Sequence, residues 1–522
     1  MTNREFNLHC GGCGVTRRRF LSGCARCAVA AGLLGGGVGR AWGAEAAPGR
    51  GRIRVLYALH ATRQPGPDWP NQGFDFAPIM EQVNTGLAQA CPEWEFCPAE
   101  AAGPDQAKAV LKQDETVPVD GYVVLQMNAW NQVVQTVAAT GKPVLYVDFK
   151  YGGSGGFLVY TAAFLRQNAR NVGFVSSSRM EDLVAAVRCF SLMKEGVSPN
   201  RFGEAVAVAR RARTPNASAL GACPDECPTL APETCLQRFA ESRILAVRGT
   251  ESGPAESILG IPVTNVAFAE LNAAWKEADP DETKAVVQRW RLGAREICDV
   301  SAETLAQSAA MYLAERALLR KYRANAITIN CLGGFYGGHI HAYPCLGFHQ
   351  LLNEGLVGGC EGDVRSAATM LALTTLTHGR PGYISDPVID TSRRQIIYAH
   401  CVASNKPFGP MGKPNPFSIL THSEDRQGAS VRSFLPTGWL TTTVQFDQAR
   451  KELLLHQART VANDPDDRAC RTKLCAEPVG DLEKLFTQWD QWGWHRVTCY
   501  GDLKKPLTAL ADLLGYKVVL EA

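Results

Sequence analysis

Short apolar runs that recur at intervals of one helix constrain this chain more than any other feature. Ile53–Leu59, Gly121–Leu125, Pro143–Asp148 and Asn171–Val175 each have the texture of a buried strand. Helix-length stretches lie between them, among them Phe76 to Ala90 and Trp130 to Ala139. Near-continuous hydrophobic strands joined by helical crossovers belong to a parallel sheet, because both sheet faces are then covered. The pattern returns with Ile244–Val247, Ile261–Val263, a long helix near Ala302 to Ala324 and the run Ala326–Asn330. From about Pro381 the runs become short and alternating, as in Gln395–Tyr398, Ser430–Phe434 and Leu440–Val444, which predicts an antiparallel β part or barrel. The expected fold is α/β, with two Rossmann-like parallel-sheet domains followed by a β-rich, barrel-like C-terminal domain.

A chain of 522 residues is too long for one hydrophobic core. The expected boundaries are a signal peptide over 1–46, a first α/β domain over 52–213, a Pro/Cys-rich linker over 214–240, a second α/β domain over 241–380 and the β-rich domain over 381–522. With 46% hydrophobic and 20% charged residues the composition is that of an ordinary globular protein. A formal charge of +3 and the absence of a basic stripe with interleaved aromatics argue against a nucleic-acid partner. The apolar run Ala28 to Val38 is short and glycine-rich, so no stable membrane anchor is expected after signal cleavage.

That run belongs to an address. Arg17-Arg18-Arg19-Phe20-Leu21, then Ala28 to Leu34, then the small-residue site Ala44-Glu45-Ala46 resemble a twin-arginine (Tat) signal peptide. The Tat export machinery is an expected partner, and a periplasmic or extracellular location is expected. Of eighteen cysteines, four (Cys10, Cys13, Cys24, Cys27) lie in or before this segment. Cys223, Cys227 and Cys235 cluster in the linker and Cys470 and Cys475 lie five apart, so local disulfides are expected in an oxidising compartment. Cys345, Cys360, Cys401 and Cys499 read as buried thiols.

The chemistry concentrates in the last third. Glu361 lies in Cys360-Glu361-Gly362-Asp363, Asp386 in Ser385-Asp386-Pro387, His400 in Ala399-His400-Cys401 and His495 in Trp494-His495-Arg496. Two carboxylates and two imidazoles suit a divalent ion of the Mn²⁺ or Mg²⁺ type, and carboxylates are natural acid/base partners for moving a proton between carbons. Each also has an ordinary structural reading. Glu361 complements the N-terminus of the helix expected over Val364 to Leu376, with Asp363 as its cap. Asp386 before Pro387 suits a turn, and His400 in an apolar strand suits a core. Gln126, Asn128 and Asp148 to Lys150 fall at carboxyl ends of strands, where a polar rim forms in such sheets. Tyr151-Gly152-Gly153-Ser154-Gly155-Gly156 lacks the Lys-Ser/Thr of a phosphate loop and reads as a flexible connection.

From about Ala324 to Gly501 the chain resembles the L-fucose/L-arabinose isomerase family. The resemblance is carried by Tyr343-Pro344-Cys345-Leu346, Asn353-Glu354-Gly355, Cys360–Val364, Asp386-Pro387, Ala399-His400-Cys401, Thr421-His422-Ser423-Glu424 and Trp494-His495. No single motif is specific; the ordered set is. It implies a metal-dependent aldose–ketose isomerase working through a cis-enediol, with Mn²⁺ as the commonest ion. It further implies Glu361 as ligand and one acid/base carboxylate, Asp386 as the second, His495 as ligand, and His400 as a further metal-site histidine of the arabinose branch. His422, Gln126 and Trp494 are candidates for contacts to a small sugar or sugar derivative, and a homo-oligomer is expected. The chain departs from the pattern in its export signal and in Trp494-His495-Arg496, where the family often has two adjacent histidines. The competing readings are an exported non-catalytic carbohydrate-binding protein and a metal-dependent hydrolase or lyase acting on glycans. Convergence of Glu361, Asp386 and His495 in one pocket separates the enzymes from the binding protein.

Overall fold

A computed structural model describes residues 50–219 and 221–522; the expected signal at 1–46 lies outside the described residues. Strands β1 (Gly51–Ala58), β2 (Trp94–Ala101), β3 (Gly121–Gln126), β4 (Val144–Asp148) and β5 (Val172–Val175) form a sheet in the order β2-β1-β3-β4-β5. Every pairing in it is parallel. Side chains alternate across it as a two-residue period requires: Ile53, Val55 and Tyr57 enter one apolar layer, Leu56 and Ala58 the other. That second layer runs on into Tyr383, Tyr398, Leu474 and Trp489, so this sheet docks directly on the β-rich part.

The second sheet is built from β6 (Ile244–Val247), β7 (Gly253–Ile258) and β8 (Ile261–Val266). After β9 (Glu296–Cys298) and the helix Ala302–Tyr322, it is completed by β10 (Ala326–Ile329) and β11 (Val357–Gly359). Its order is β11-β10-β6-β8-β7, parallel except for the edge strand β7. The helix Val364–Leu376, buried along nearly its whole length, leads from β11 toward the β-rich part.

There follow β12 (Tyr383–Asp390), β13 (Gln395–His400), β14 (Phe417–Leu420), β15 (Ser430–Ser433), β16 (Leu440–Asp447), β17 (Glu452–Asn463), β18 (Thr472–Val479), β19 (Arg496–Tyr500) and β20 (Lys517–Leu520). Six of them run β16-β19-β12-β13-β18-β17, and β16 pairs back onto β17, which closes a barrel. Closure removes the exposed edges an open antiparallel sheet would present. β17 is long enough to serve three partners, and a bulge between Thr460 and Ala462 lets it bend between them. β14, β15 and β9 make a small sheet apart from the barrel. The fold class is therefore α/β with parallel sheets followed by a β-rich C-terminal part.

Three expectations change. The helix expected from Trp130 begins only at Val133, because Trp130 and Gln132 adopt left-handed φ values of 65° and 57°. The glycine run is not a flexible connection. It opens the helix Ser154–Arg166, and residues 151–158 are buried. A Cβ on Gly153 would lie 1.9 Å from the Gln126 carbonyl oxygen, one on Gly156 2.9 Å from the Trp130 nitrogen and one on Gly155 3.1 Å from the Trp494 indole. These glycines are there for close packing. The expected disulfides do not form: all fourteen described cysteines are free thiols. The fold sends the linker cysteines to different places. Cys223 packs beside Gly438, Cys227 lies against Gly501, and Cys235 points into the core from the helix Pro232–Glu241. That helix occupies the end of the stretch read as linker. Cys345, Cys360, Cys401 and Cys499 are buried thiols, as their settings in the sequence indicate. Among the described residues no helix is long and apolar enough to cross a membrane.

Candidate metal centre

Four side chains from two parts of the molecule meet in one place. Glu361 comes from the turn between β11 and the helix Val364–Leu376, where it and Gly362 take successive left-handed φ values of 62° and 65°. A non-glycine residue held there is strained, and such strain clusters at functional sites. Gly362 turns the chain against Asn330, donating its N–H to the Ile329 carbonyl at 2.9 Å. Asp386 lies on β12, His400 ends β13, and His495 immediately precedes β19.

His495 Nε2 is 3.4 Å from Glu361 Oε2 and 3.2 Å from Asp386 Oδ1. His400 Nε2 is 3.8 Å from Glu361 Oε1 and 3.9 Å from Asp386 Oδ2. One ligand atom from each residue lies within 4.8 Å of all the others. The donor set, two carboxylates and two imidazoles, suits a hard or borderline divalent ion. Asp386 Oδ1, both ring nitrogens of His400 and His495 Nε2 are buried with no hydrogen-bond partner. Burying an unsatisfied polar atom costs about 1–3 kcal/mol. Asp386 Oδ1, His495 Nε2 and His400 Nε2 face one another closely enough to fit a cation that satisfies all three together, while His400 Nδ1 points away from it. The side chain of Glu361 is 32% exposed, against 8% for Asp386 and 4% for His400, so the cluster opens on the Glu361 side.

Asp363 orients the cluster from behind. Its Oδ1 accepts the Ser366 N–H at 2.9 Å and caps the helix, while its Oδ2 lies 2.9 Å from His495 Nδ1. A carboxylate on the far nitrogen of a ligating histidine fixes the ring and leaves Nε2 facing the ion. Burial pushes the Asp363 carboxyl up, but His495 and Ser366 outweigh it and hold it well below the usual range. Burial likewise pushes Glu361 up, and the charge of His495, with His400 behind it, brings it below its ordinary value. For His495 burial works downward, while Glu361, Asp386 and Asp363 together draw its pKa well above that of a free imidazole. An ion binding at His495 Nε2 would have to compete with a proton for that atom.

The remaining sequence candidates lie outside the four-residue cluster. His422 is buried, stacked on Tyr343 with ring centroids 4.8 Å apart, and its Nδ1 is 3.7 Å from Asp425. Trp494 is half-buried, packed edge to face on Trp130 and tilted against Trp489. Gln126 is buried with its amide committed, donating to the Asn128 carbonyl and accepting from the Tyr146 hydroxyl. Asn128 ties the first sheet to its own loop through the His60 N–H and the Trp69 carbonyl. Asp148 accepts from Ser154 and Ser176, and burial pushes its pKa up to about 7. Lys150 bridges Asp390 and Asp464 at 3.5 and 3.3 Å.

Sequence reasoning gave Asp363 only its capping role, because nothing local marks a capping acid as the partner of a histidine far along the chain. Glu424 also went unassigned. It accepts from the Tyr336 hydroxyl at 2.9 Å, and burial, with Glu361 adding to it against His422, pushes its pKa up to about 7. A cavity of about 530 Å³ between the helices Ser154–Arg166 and Phe202–Arg213 contains none of these residues, so chemistry rather than volume locates the site.

No family model matches the chain. It is 28% identical over 200 residues to a sulfoquinovose isomerase of Clostridium sp. (strain MSTE9), covering 36% of this chain and 42% of the relative. A sulfoquinovose isomerase of Alkalicoccus urumqiensis is 25% identical over 162 residues (30% and 35%), and one of Priestia aryabhattai 26% over 198 (37% and 43%). The chain thus spans less than half the length of the curated relatives it matches. Among solved structures, a regulatory protein of the LacI family from Chloroflexus aggregans matches at 11% identity over 53% of this chain and 77% of its own. Its TM-score of 0.15 is too low to bear on the fold.

Proposed function

We propose that the chain is a divalent-metal-dependent aldose–ketose isomerase acting on a small sugar. The observation that carries this reading is the convergence of Glu361, Asp386, His400 and His495, with unsatisfied donor atoms turned toward one another. The distant relatives' names support the same reaction class. Those four residues would hold the ion, and Mn²⁺ is its expected identity. What such an ion would supply there is Lewis-acid polarisation of the carbonyl and hydroxyl pair of the sugar. The protons are moved by the chain's own groups. Glu361, held ionised and open to solvent, removes the hydrogen from C2 of the aldose and returns it to C1 of the enediol. Asp386, more deeply buried and carrying a free oxygen, takes the proton from O2 and supplies one to O1, so the product is an isomer with no net gain or loss. Two carboxylates in unlike settings divide acid and base roles in this way. Asp363 keeps His495 in one orientation throughout.

Sulfoquinovose is the first substrate to try, alongside L-fucose and L-arabinose. The test is exchange of the C2 hydrogen into D₂O by the protein lacking residues 1–46, with and without Mn²⁺. Metal-dependent exchange that Glu361→Gln removes supports the reading. Stoichiometric metal without exchange on any sugar, or exchange that survives in that variant, overturns it. The export reading of residues 1–46 is a separate proposal. Replacing Arg17, Arg18 and Arg19 by Lys should retain the protein in the cytoplasm of an exporting host, and unchanged export would reject it. A homo-oligomer, also proposed, is tested by sedimentation of the same preparation.

A further inference from the structure

Behind His495 the barrel interior contains a second group of ionisable residues with no part in the proposed reaction. Tyr398 of β13 meets Thr443 of β16 and His456 of β17, strands with which β13 does not pair, so these side chains meet across the lumen. Thr443 also meets Thr498 at 2.9 Å, and Arg496, two residues before Thr498 on β19, faces the same way. The Arg496 guanidinium lies over the Trp489 ring at 4.0 Å and is fully buried. It donates to the carbonyls of Gly493 at 2.8 Å and His495 at 3.0 Å, one on either side of Trp494. Its other face is gripped by Glu521, which accepts from Nη2 at 2.8 Å and from Nε at 3.1 Å. Glu521 Oε2 also lies 2.8 Å from His456 Nδ1, and His456 Nε2 lies 2.7 Å from the Tyr398 hydroxyl. Tyr398 is two residues from His400 on the same strand face.

We infer that Glu521 is a positioning residue for the metal centre: it holds Arg496 in a clamp on the backbone around His495, and through His456 and Tyr398 ties that clamp to the strand carrying His400. Two reasons favour positioning over mere stability. A buried ion pair is weak support for a fold, since apolar side chains of similar volume commonly serve as well. And the guanidinium is aimed at main-chain carbonyls beside a candidate ligand, where sub-ångström placement decides metal affinity. The inference rests on His495 being a ligand of the proposed centre.

The test is equilibrium dialysis against Mn²⁺ at a temperature where circular dichroism shows each variant folded. It compares wild type, Glu521→Gln, the apolar pair Arg496→Met with Glu521→Leu, and His495→Ala as reference. Glu521→Gln should raise the Mn²⁺ Kd about 10- to 100-fold, the range found when partners of metal ligands are removed. The apolar pair should recover thermal stability without recovering affinity, which separates positioning from folding. An unchanged Kd in folded Glu521→Gln overturns the inference. If that variant does not fold, a wild-type Kd in the apolar pair overturns it equally. Wild type that takes up no Mn²⁺, or His495→Ala that binds as tightly, overturns the metal reading itself and this inference with it.

Discussion

Two buried polar groups lie side by side, one inside the barrel and one where the barrel meets the second sheet, and they are satisfied to opposite degrees. In the Tyr398–His456–Glu521–Arg496 network each functional side chain faces a partner at hydrogen-bonding distance. Burial pushes Glu521 up, but Arg496 and His456 bring it down to about 2, the mark of a carboxylate whose charge is fully answered. Around Glu361 and Asp386, two carboxylates and two imidazoles with no arginine among them leave Asp386 Oδ1, His495 Nε2 and the His400 ring nitrogens without hydrogen bonds. The barrel thus answers buried charge fully at the first of these two groups. At the second the unpaired atoms gather where one ligand atom from each of Glu361, Asp386, His400 and His495 lies within 4.8 Å of the others.

This contrast can be broken by substitution. The largest effect is expected from Asp386→Asn, which keeps the shape but removes the carboxylate proposed to move protons between the sugar oxygens. Sugar C2-exchange should fall about 10²- to 10⁴-fold, and a rate near wild type would remove Asp386 from the chemistry. Asp363→Asn preserves a good helix cap yet loses the charge facing His495 Nδ1, so Mn²⁺ affinity should drop about 10- to 100-fold while the helix stays intact by circular dichroism. A smaller change follows from pH. The carboxylates around His495 draw its pKa well above that of an ordinary imidazole, so Mn²⁺ would compete with a proton for Nε2. Affinity should weaken as pH falls, by up to about tenfold per unit, and a flat Kd between pH 6 and 8 would contradict that competition. The smallest effect on the site itself belongs to Gly153→Ala, whose Cβ would press on the Gln126 carbonyl. It should cost about 1–3 kcal/mol of stability in denaturant titration and leave Mn²⁺ binding to the folded protein unchanged.

Local periodicity made much of the architecture legible. The helix Val364–Leu376 lies where its apolar pattern puts it, and the runs of β1, β3, β4 and β5 announce a parallel sheet before any pairing is known. β2 escaped because Pro98, Glu95 and the exposed Glu100 interrupt its apolar character at an edge position. Glycine carried two opposite messages: the run from Gly152 to Gly156 looked like slack, yet it is where β3 and the Trp494 indole approach a helix too closely for a Cβ. The four cluster residues were visible as residue types in an ordered set of motifs. Their partners were not. Asp363 and His495 are 132 positions apart, and Glu521 meets Arg496 only because β20 joins β17 in parallel.

Glu361 reaches the cluster from the second sheet, while Asp386, His400 and His495 come from the barrel. An ion held by all four would therefore act as a clasp between two bodies of the fold, and its concentration would enter the stability of their junction. At a hundred times its Kd, a ligand that binds only the assembled state adds about 2.7 kcal/mol. Depleting the ion would then do more than silence a reaction: it would loosen the joint at the turn where Glu361, a non-glycine residue, is held in a left-handed conformation.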